Sequence, residues 1–260
     1  MHRFKRIIFS LFVFAAVDFF GAVQYPVNSS GLYVGGRVSR LAWKTPDPHF
    51  FGYLFGPFVG LDYRRPSHVY GGYRFFVDYG NISAGGCGRS FENIFMQGRL
   101  GYTFGKTMLL TPYTGFGVNI ATHRRKHAAN TCKKFAFVDL AVPVGAILTY
   151  HPSPVFSIGF DYQYLPQVDS WERIGGFLGI RFQRKVRTQH CVELPIQFAF
   201  PNPRWEHVQY RIVPFYRSYH YGSVNVSFGG TSVICQTGAT IQLEPQRAYE
   251  FGIRYEIAIW

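Results

Sequence analysis

From Gly31 onward the chain alternates apolar and polar or small side chains with a period of two rather than 3.6. In VYGGYRFFVDY, residues 69 to 79, Val69, Tyr73, Phe75, Val77 and Tyr79 share one face with Gly71, and Arg74 and Asp78 fall on the other. Further along, Phe156, Ile158, Phe160, Tyr162 and Tyr164 oppose Asp161 and Gln163 in the same way. No run of ~18 apolar residues follows Gly31, so a membrane-embedded form of this chain must cross with strands closed into a barrel. Alternation alone also fits a soluble sandwich, whose apolar face is its core.

The connections separate the two. Alternating segments fall at 31 to 41, 54 to 64, 69 to 79, 92 to 104, 108 to 120, 134 to 150, 154 to 164 and 172 to 183. Between them lie WKTPDPHFFGYL, RRPS, GNISAGGCGRSF, GKT, ATHRRKHAANTCK, HPS and LPQVDSW, which run long, short, long, short, long, short and intermediate. One rim with tight turns and the other with long loops is the pattern of outer-membrane barrels, and a sandwich has no reason to keep it. The N-terminus agrees. MHRFKR is basic, and IIFSLFVFAAV, residues 7 to 17, is apolar but shorter than the ~20 residues of a membrane-spanning helix. Residues 1 to 22 read as a signal peptide with an imperfect cleavage site, an uncleaved anchor being the alternative.

On these features residues 31 to 183 resemble the OmpA/OmpX-type family of small outer-membrane barrels. The resemblance implies an eight-stranded antiparallel barrel with a polar interior and roles ranging from anchoring and adhesion to lipid A modification. The eighth segment overlaps WERIGGFLGIRF, residues 171 to 182, where Ile174, Gly176, Leu178, Ile180 and Phe182 share one parity and finish on an aromatic, as a terminal barrel strand does. Residues 184 to 260 remain, with alternating stretches at 191 to 200, 207 to 217, 223 to 229, 231 to 243 and 248 to 259. Gly229-Gly230 is a hairpin signal among them. Trp260 is out of phase with Phe251, Ile253, Tyr255, Ile257 and Ile259, whereas Phe182 is in phase with its own segment. The expected organisation is therefore a barrel over residues 23 to 183 followed by a β-rich extension over 184 to 260. The alternative continues the barrel to twelve strands.

The net charge of +13 raises a nucleic-acid partner, but the Lys and Arg are scattered through turns and single strand positions, without a basic helix or an aromatic RNA-binding motif. A plugged lumen accounts for part of the charge. Arg37, Asp62, Arg74, Asp78, Arg99, Asp139, Asp161, Arg173 and Arg181 are assigned to the inward face, where arginines and carboxylates would pair; a conducting pore lined by alternating charge is the rival reading. Chemistry is thin. His151-Pro152-Ser153 has the spacing of lipid A deacylase barrels but falls in a tight turn, and Asp139, Asp161 and His123 form an acid and base set with no geometry fixed by sequence. No catalytic residue, metal site or cofactor is assigned.

The sharpest surface feature is THRRKH, residues 122 to 127, followed by Lys133 and Lys134. Arg124, Arg125, Lys126, Lys133 and Lys134 make a candidate anion-binding loop for lipopolysaccharide phosphates or sulfated host or surface glycans, against the plainer reading of a solvated charge run. Four cysteines in an exported chain suggest disulfides. Pairing Cys87 with Cys132 and Cys191 with Cys235 is the most economical arrangement, with links between copies as the competing use. The expected function is a non-enzymatic outer-membrane barrel with a structural or surface-interaction role, matured by the barrel-assembly machinery among outer-membrane lipid and lipopolysaccharide. A twelve-stranded narrow porin and a lipid A modifying enzyme are the alternatives.

Overall fold

The computed structural model describes residues 30–259 except 45–48, 85–86, 107, 126–133, 175–179, 184–186, 200–207, 223, 228–239 and 244–245. The expected signal peptide, Trp260 and the Gly229-Gly230 pair lie outside the described residues. Fifteen strand pieces follow in chain order: β1 (Gly31–Lys44), β2 (Phe50–Tyr63), β3 (Val69–Ala84), β4 (Cys87–Tyr102), β5 (Met108–Arg125), β6 (Lys134–Ala141), β7 (Val144–Ser153), β8 (Phe156–Ile174), β9 (Ile180–Gln183), β10 (Arg187–Glu193), β11 (Ile196–Ala199), β12 (Val208–Tyr221), β13 (Val224–Ser227), β14 (Thr240–Leu243) and β15 (Gln246–Ile259).

Among the described residues these pieces build ten staves. β6 and β7 are one stave broken at Val142-Pro143, and both lie against β5 in an unshifted register. β9, β10 and β11 are successive parts of another, all paired with β8 without a shift, from Trp171↔Gln183 through Thr188↔Pro166 to Ile196↔Ile158. Two of the breaks fall at Pro143 and Pro195, which have no N–H to give to a ladder. Neighbouring groups still use the carbonyls there: the Gly159 N–H donates to Pro195 O at 2.7 Å.

β15 closes the barrel by pairing with β1 from Leu32↔Ile259 to Lys44↔Arg247, and with β12 on its other edge. A circuit of paired residues leaves β2 at Tyr63 and passes Gly71, Leu100, Thr114, Val144, Tyr164, His190, Ser218, Tyr249 and Ala42. It re-enters β2 at Phe51, about twelve residues from its start, the stagger that tilted staves need in order to close. Short turns and the two barrel ends occupy one rim. At that rim Gly105 takes a positive φ of 91°, which favours glycine in the β4–β5 turn. The other rim, the loop rim, carries the β1–β2, β3–β4, β5–β6, β8–β9 and β12–β15 connections. The expected difference in length is not uniform: β3 and β4 extend until only residues 85–86 separate them, residues 45–49 separate β1 from β2, and the turn rim also carries residues 200–207 between β11 and β12.

The strand counts of eight and twelve are both corrected to ten. WERIGGFLGIRF is not a terminal strand: Trp171–Ile174 ends β8, Ile180–Gln183 begins the next stave, and the two arms pair with each other. A hairpin whose two arms both alternate keeps a period of two across its apex, so periodicity could not reveal the reversal; Gly175-Gly176 was the breaker that pointed to it. The barrel therefore does not stop at residue 183. Residues 187 to 221 and 246 to 259 supply staves that the expected extension had excluded. Of the stretches at 223 to 229 and 231 to 243, the described parts pair with each other as β13 and β14 in a separate two-stranded sheet.

Candidate functional site: the filled lumen

Inward positions follow from the pleat, and the large rings among them need room. Two inward glycines provide it. A Cβ on Gly72 would meet the Tyr70 hydroxyl at 2.3 Å, and one on Gly252 would meet Cζ of Phe215 at 2.4 Å and the carbonyl oxygen of Val38 at 2.6 Å. Each glycine lets a neighbouring ring fold across the bore.

The lumen is filled in three layers. Towards the turn rim Tyr70, Tyr113 and Ile147 pack together. Towards the loop rim Leu41, Trp43, Phe50, Ile82, Phe91 and Phe137 form an apolar cap, with Tyr221 stacked on Trp43 at 5.8 Å between ring centroids. The Trp43 indole N–H donates to Gln246 Oε1 at 3.1 Å.

Between them lies a network of charge. Among the described residues six buried arginines meet six carboxylates in ion pairs. Glu193 is the hub: one oxygen accepts from Arg74 at 2.7 Å and from Arg254 at 3.0 Å, and Arg217 lies 3.8 Å from the other. Asp161 binds Arg74 at 2.9 Å, Arg99 at 2.8 Å and the Tyr113 hydroxyl at 2.8 Å. Arg37 bridges Asp78, at 3.1 Å, and Glu250. Arg211 joins Glu256 at 2.6 Å to Asp62 at 3.8 Å, and Arg254 also binds Glu256.

Aromatic faces complete the cage. Arg37 lies over Phe76 at 4.0 Å, Arg254 over Phe58 at 4.1 Å and Arg211 over Tyr33 at 4.1 Å. A planar, weakly hydrated guanidinium can bond carboxylates at its edge while its face rests on a ring, which an ammonium does less well.

Seven of the nine charges assigned inward, Arg37, Asp62, Arg74, Asp78, Arg99, Asp139 and Asp161, are buried in the lumen. Asp139 lies towards the loop rim, where the Ser170 hydroxyl donates to it at 2.7 Å. Arg173 and Arg181 are cross-strand partners in the β8–β9 hairpin, and their side chains lie outside the described residues. A bulge against Leu140/Ala141 passes the inward parity of β8 from odd, at Leu165, to even, at Ser170, so counting by twos from Asp161 does not carry to Arg173.

Sequence reasoning missed Glu193, Arg211, Arg217, Glu250, Arg254 and Glu256, half of the ion-paired network. The signal was present: in YEFGIRYEI the charges at 250, 254 and 256 alternate with Phe251, Ile253 and Tyr255 as Arg74 and Asp78 do with their neighbours.

The chemical candidates do not come together. Asp161 is held by two arginines and a tyrosine, His151 and Ser153 sit at the turn end of β7, and the side chain of His123 lies outside the described residues. Among the described residues no cluster of His, Cys, Asp or Glu could hold a metal ion. Cys191, expected to pair with Cys235, is instead a free, buried thiol in the lumen, 3.8 Å from Glu193 Oε1. It points inward with Gln189 and Glu193. Cys87 opens β4, and its side chain, Cys132 and Cys235 lie outside the described residues.

The basic stretch is partly strand rather than loop. β5 continues to Arg125, Arg124 lies opposite Lys134, and Arg125 lies opposite Arg89. Lys126 and Lys133 are outside the described residues.

The outer surface is the converse of the lumen. Val38, Phe55, Leu100 and Phe251, on four different staves, are each at least 60% exposed. Exposed Tyr63, Tyr102 and Tyr150 ring the turn rim, where amphipathic rings meet a membrane interface.

No family model matches the chain, and no curated protein matches it. Solved structures do. The outer membrane protease OmpT from Escherichia coli is similar over 88% of this chain and 95% of its own, with a TM-score of 0.52 and 8% identity. The translocator domain of the autotransporter NalP from Neisseria meningitidis is similar over 88% of this chain and 89% of its own, with a TM-score of 0.42 and 12% identity. At such identities the likeness is one of fold, and the ten staves stand in place of the eight that the OmpA/OmpX-type resemblance implied. With charge inside, an apolar belt outside and a closed antiparallel fold similar to that of the OmpT structure, the chain is a β-barrel of the outer-membrane kind.

Proposed function

We propose that this protein is a non-enzymatic, non-conducting barrel that anchors and presents the structures at its loop rim, including a basic hairpin that captures anions. The observation that carries the reading is the filled lumen. A pore needs a continuous aqueous path with sites weak enough to leave, whereas these charges are bonded to one another and roofed by the aromatic cap. Purified protein in planar bilayers is expected to give no stable conductance; reproducible ohmic channels of nanosiemens size would overturn the reading in favour of a narrow porin.

Anion capture is supported by register. Arg124 faces Lys134 across the β5–β6 ladder, and directly opposed like charges are unfavourable unless a counter-anion joins them. Lipopolysaccharide phosphates and sulfated surface glycans have the required chemistry. Replacing Arg124, Arg125 and Lys126 by Gln should leave the barrel folded while weakening heparin binding and flattening its salt dependence, because exposed charges act through a field screened over ~8 to 10 Å. Unchanged heparin affinity and salt response would reduce the stretch to a solvated run.

A further inference from the structure

The outward surface carries a cluster of positive charge that the lumen does not explain. Arg40, Lys44 and Arg247 all point outward and are exposed. Lys44 is paired directly with Arg247, and Arg247 in turn with His220, so three adjacent staves, β1, β15 and β12, bring basic groups into one row. Among the described residues, the outward positions of these staves and of β2 hold no carboxylate. Opposed like charges on neighbouring strands repel, and cations on a lipid-facing surface are costly. A row of them at the loop end of the barrel wants an anion from the membrane itself.

The surroundings supply a seat for one. The Lys44 ammonium lies 5.3 Å from the centre of the Tyr249 ring, and the Arg40 guanidinium lies 5.9 Å from that of Phe51. The cations thus rest against an aromatic floor suited to the boundary between headgroup and acyl chain.

We propose that the outward half of the β12–β15–β1 face is a docking site for a phosphate-bearing lipid headgroup of the outer leaflet, with Arg40, Lys44 and Arg247 as its anion ligands and Tyr249 and Phe51 as its apolar floor. The site lies on a different part of the barrel wall from the basic β5–β6 hairpin and stands independently of it. Its ligand is part of the surrounding membrane rather than a solution polyanion.

Native mass spectrometry of the folded full chain in detergent tests it, with lipid A bearing both phosphates and the same lipid dephosphorylated as probes. The wild type is expected to retain the phosphorylated form about tenfold or more over the dephosphorylated one, since each basic residue at a membrane surface adds measurably to the attraction. Arg40→Gln, Lys44→Gln and Arg247→Gln together should abolish that preference, and the charge-retaining Lys44→Arg should keep it. Should the triple variant fail to fold, the single Lys44→Gln, at the stave end, should lower the preference severalfold. Millimolar inorganic phosphate should not displace the lipid. Equal retention of the two lipids by the wild type, an unchanged preference in a folded variant, or displacement by free phosphate would each overturn the proposal.

Discussion

The middle of the lumen and its outer cap close the same bore by different physics. In the middle, Glu193 and Asp161 are each shared among several cations; at the loop rim, Trp43, Phe50, Phe91 and Phe137 exclude water by packing. The cap loses stability roughly in proportion to the contacts removed. The network does not, because deleting one shared carboxylate removes a partner from several buried cations at once. The charged layer is therefore brittle, and the apolar layer tolerates gradual change.

The largest expected effect tests that brittleness. Glu193→Ala removes the carboxylate shared by Arg74, Arg254 and Arg217, leaving Arg74 with Asp161 and Arg254 with Glu256, and should destabilise the folded barrel by about 3–5 kcal/mol, read from urea unfolding of the detergent-embedded protein. A loss under about 1 kcal/mol would mean that water in the lumen already screens these charges. Next comes the same chemistry on the opposite face. Val38 is 60% exposed and faces Phe55 and Ile253 across its two ladders, so Val38→Arg should cost about 2–4 kcal/mol in lipid, while a tolerated arginine there would place Val38 outside the apolar belt.

A steric change in the lumen should cost less. Gly252→Ala drives a methyl into the Phe215 ring and the Val38 carbonyl, for about 1–3 kcal/mol, and Phe215→Leu in the same chain should recover part of it if the ring is the obstacle. The smallest effect belongs to the cap. Trp43→Phe keeps an aromatic ring and loses the hydrogen bond to Gln246, so a destabilisation of about 1 kcal/mol is expected, with no conductance gained in bilayers. A conducting Trp43→Phe protein would show that the cap, and not the ion network, is the seal.

Much of this was legible along the chain. Alternation at Val69 to Tyr79 and at Phe156 to Tyr164 identified staves and their faces, because strand pleat ties parity to side directly. Where an expected site rested on parity within one unbroken strand, as at Arg74, Asp78 or Asp161, the side chain is in the lumen. Parity fails where a local event breaks the count. The β8 bulge shifts it before Arg173, and the hairpin in WERIGGFLGIRF preserves it across a reversal, which hid a turn and ended the barrel too early. The expected Cys191–Cys235 pairing rested on proximity along the chain after residue 183, which says nothing about which side of a stave a thiol occupies: Cys191 is a buried free thiol, and Cys235 lies outside the described residues.

The sequence by itself determined that this is a strand-built protein with charge on one face and apolar side chains on the other, since those properties are local and repeat every two residues. Only the tertiary structure decided that ten staves close, that β15 seals the gap beside β1, and that Arg37 meets Glu250, 213 residues away, and Arg74 meets Glu193, 119 residues away. The physical reason is that closure depends on the stagger summed around the whole ring, and pairing within the lumen depends on which staves that stagger brings face to face. Neither quantity belongs to any one segment, so neither can be read from a segment alone.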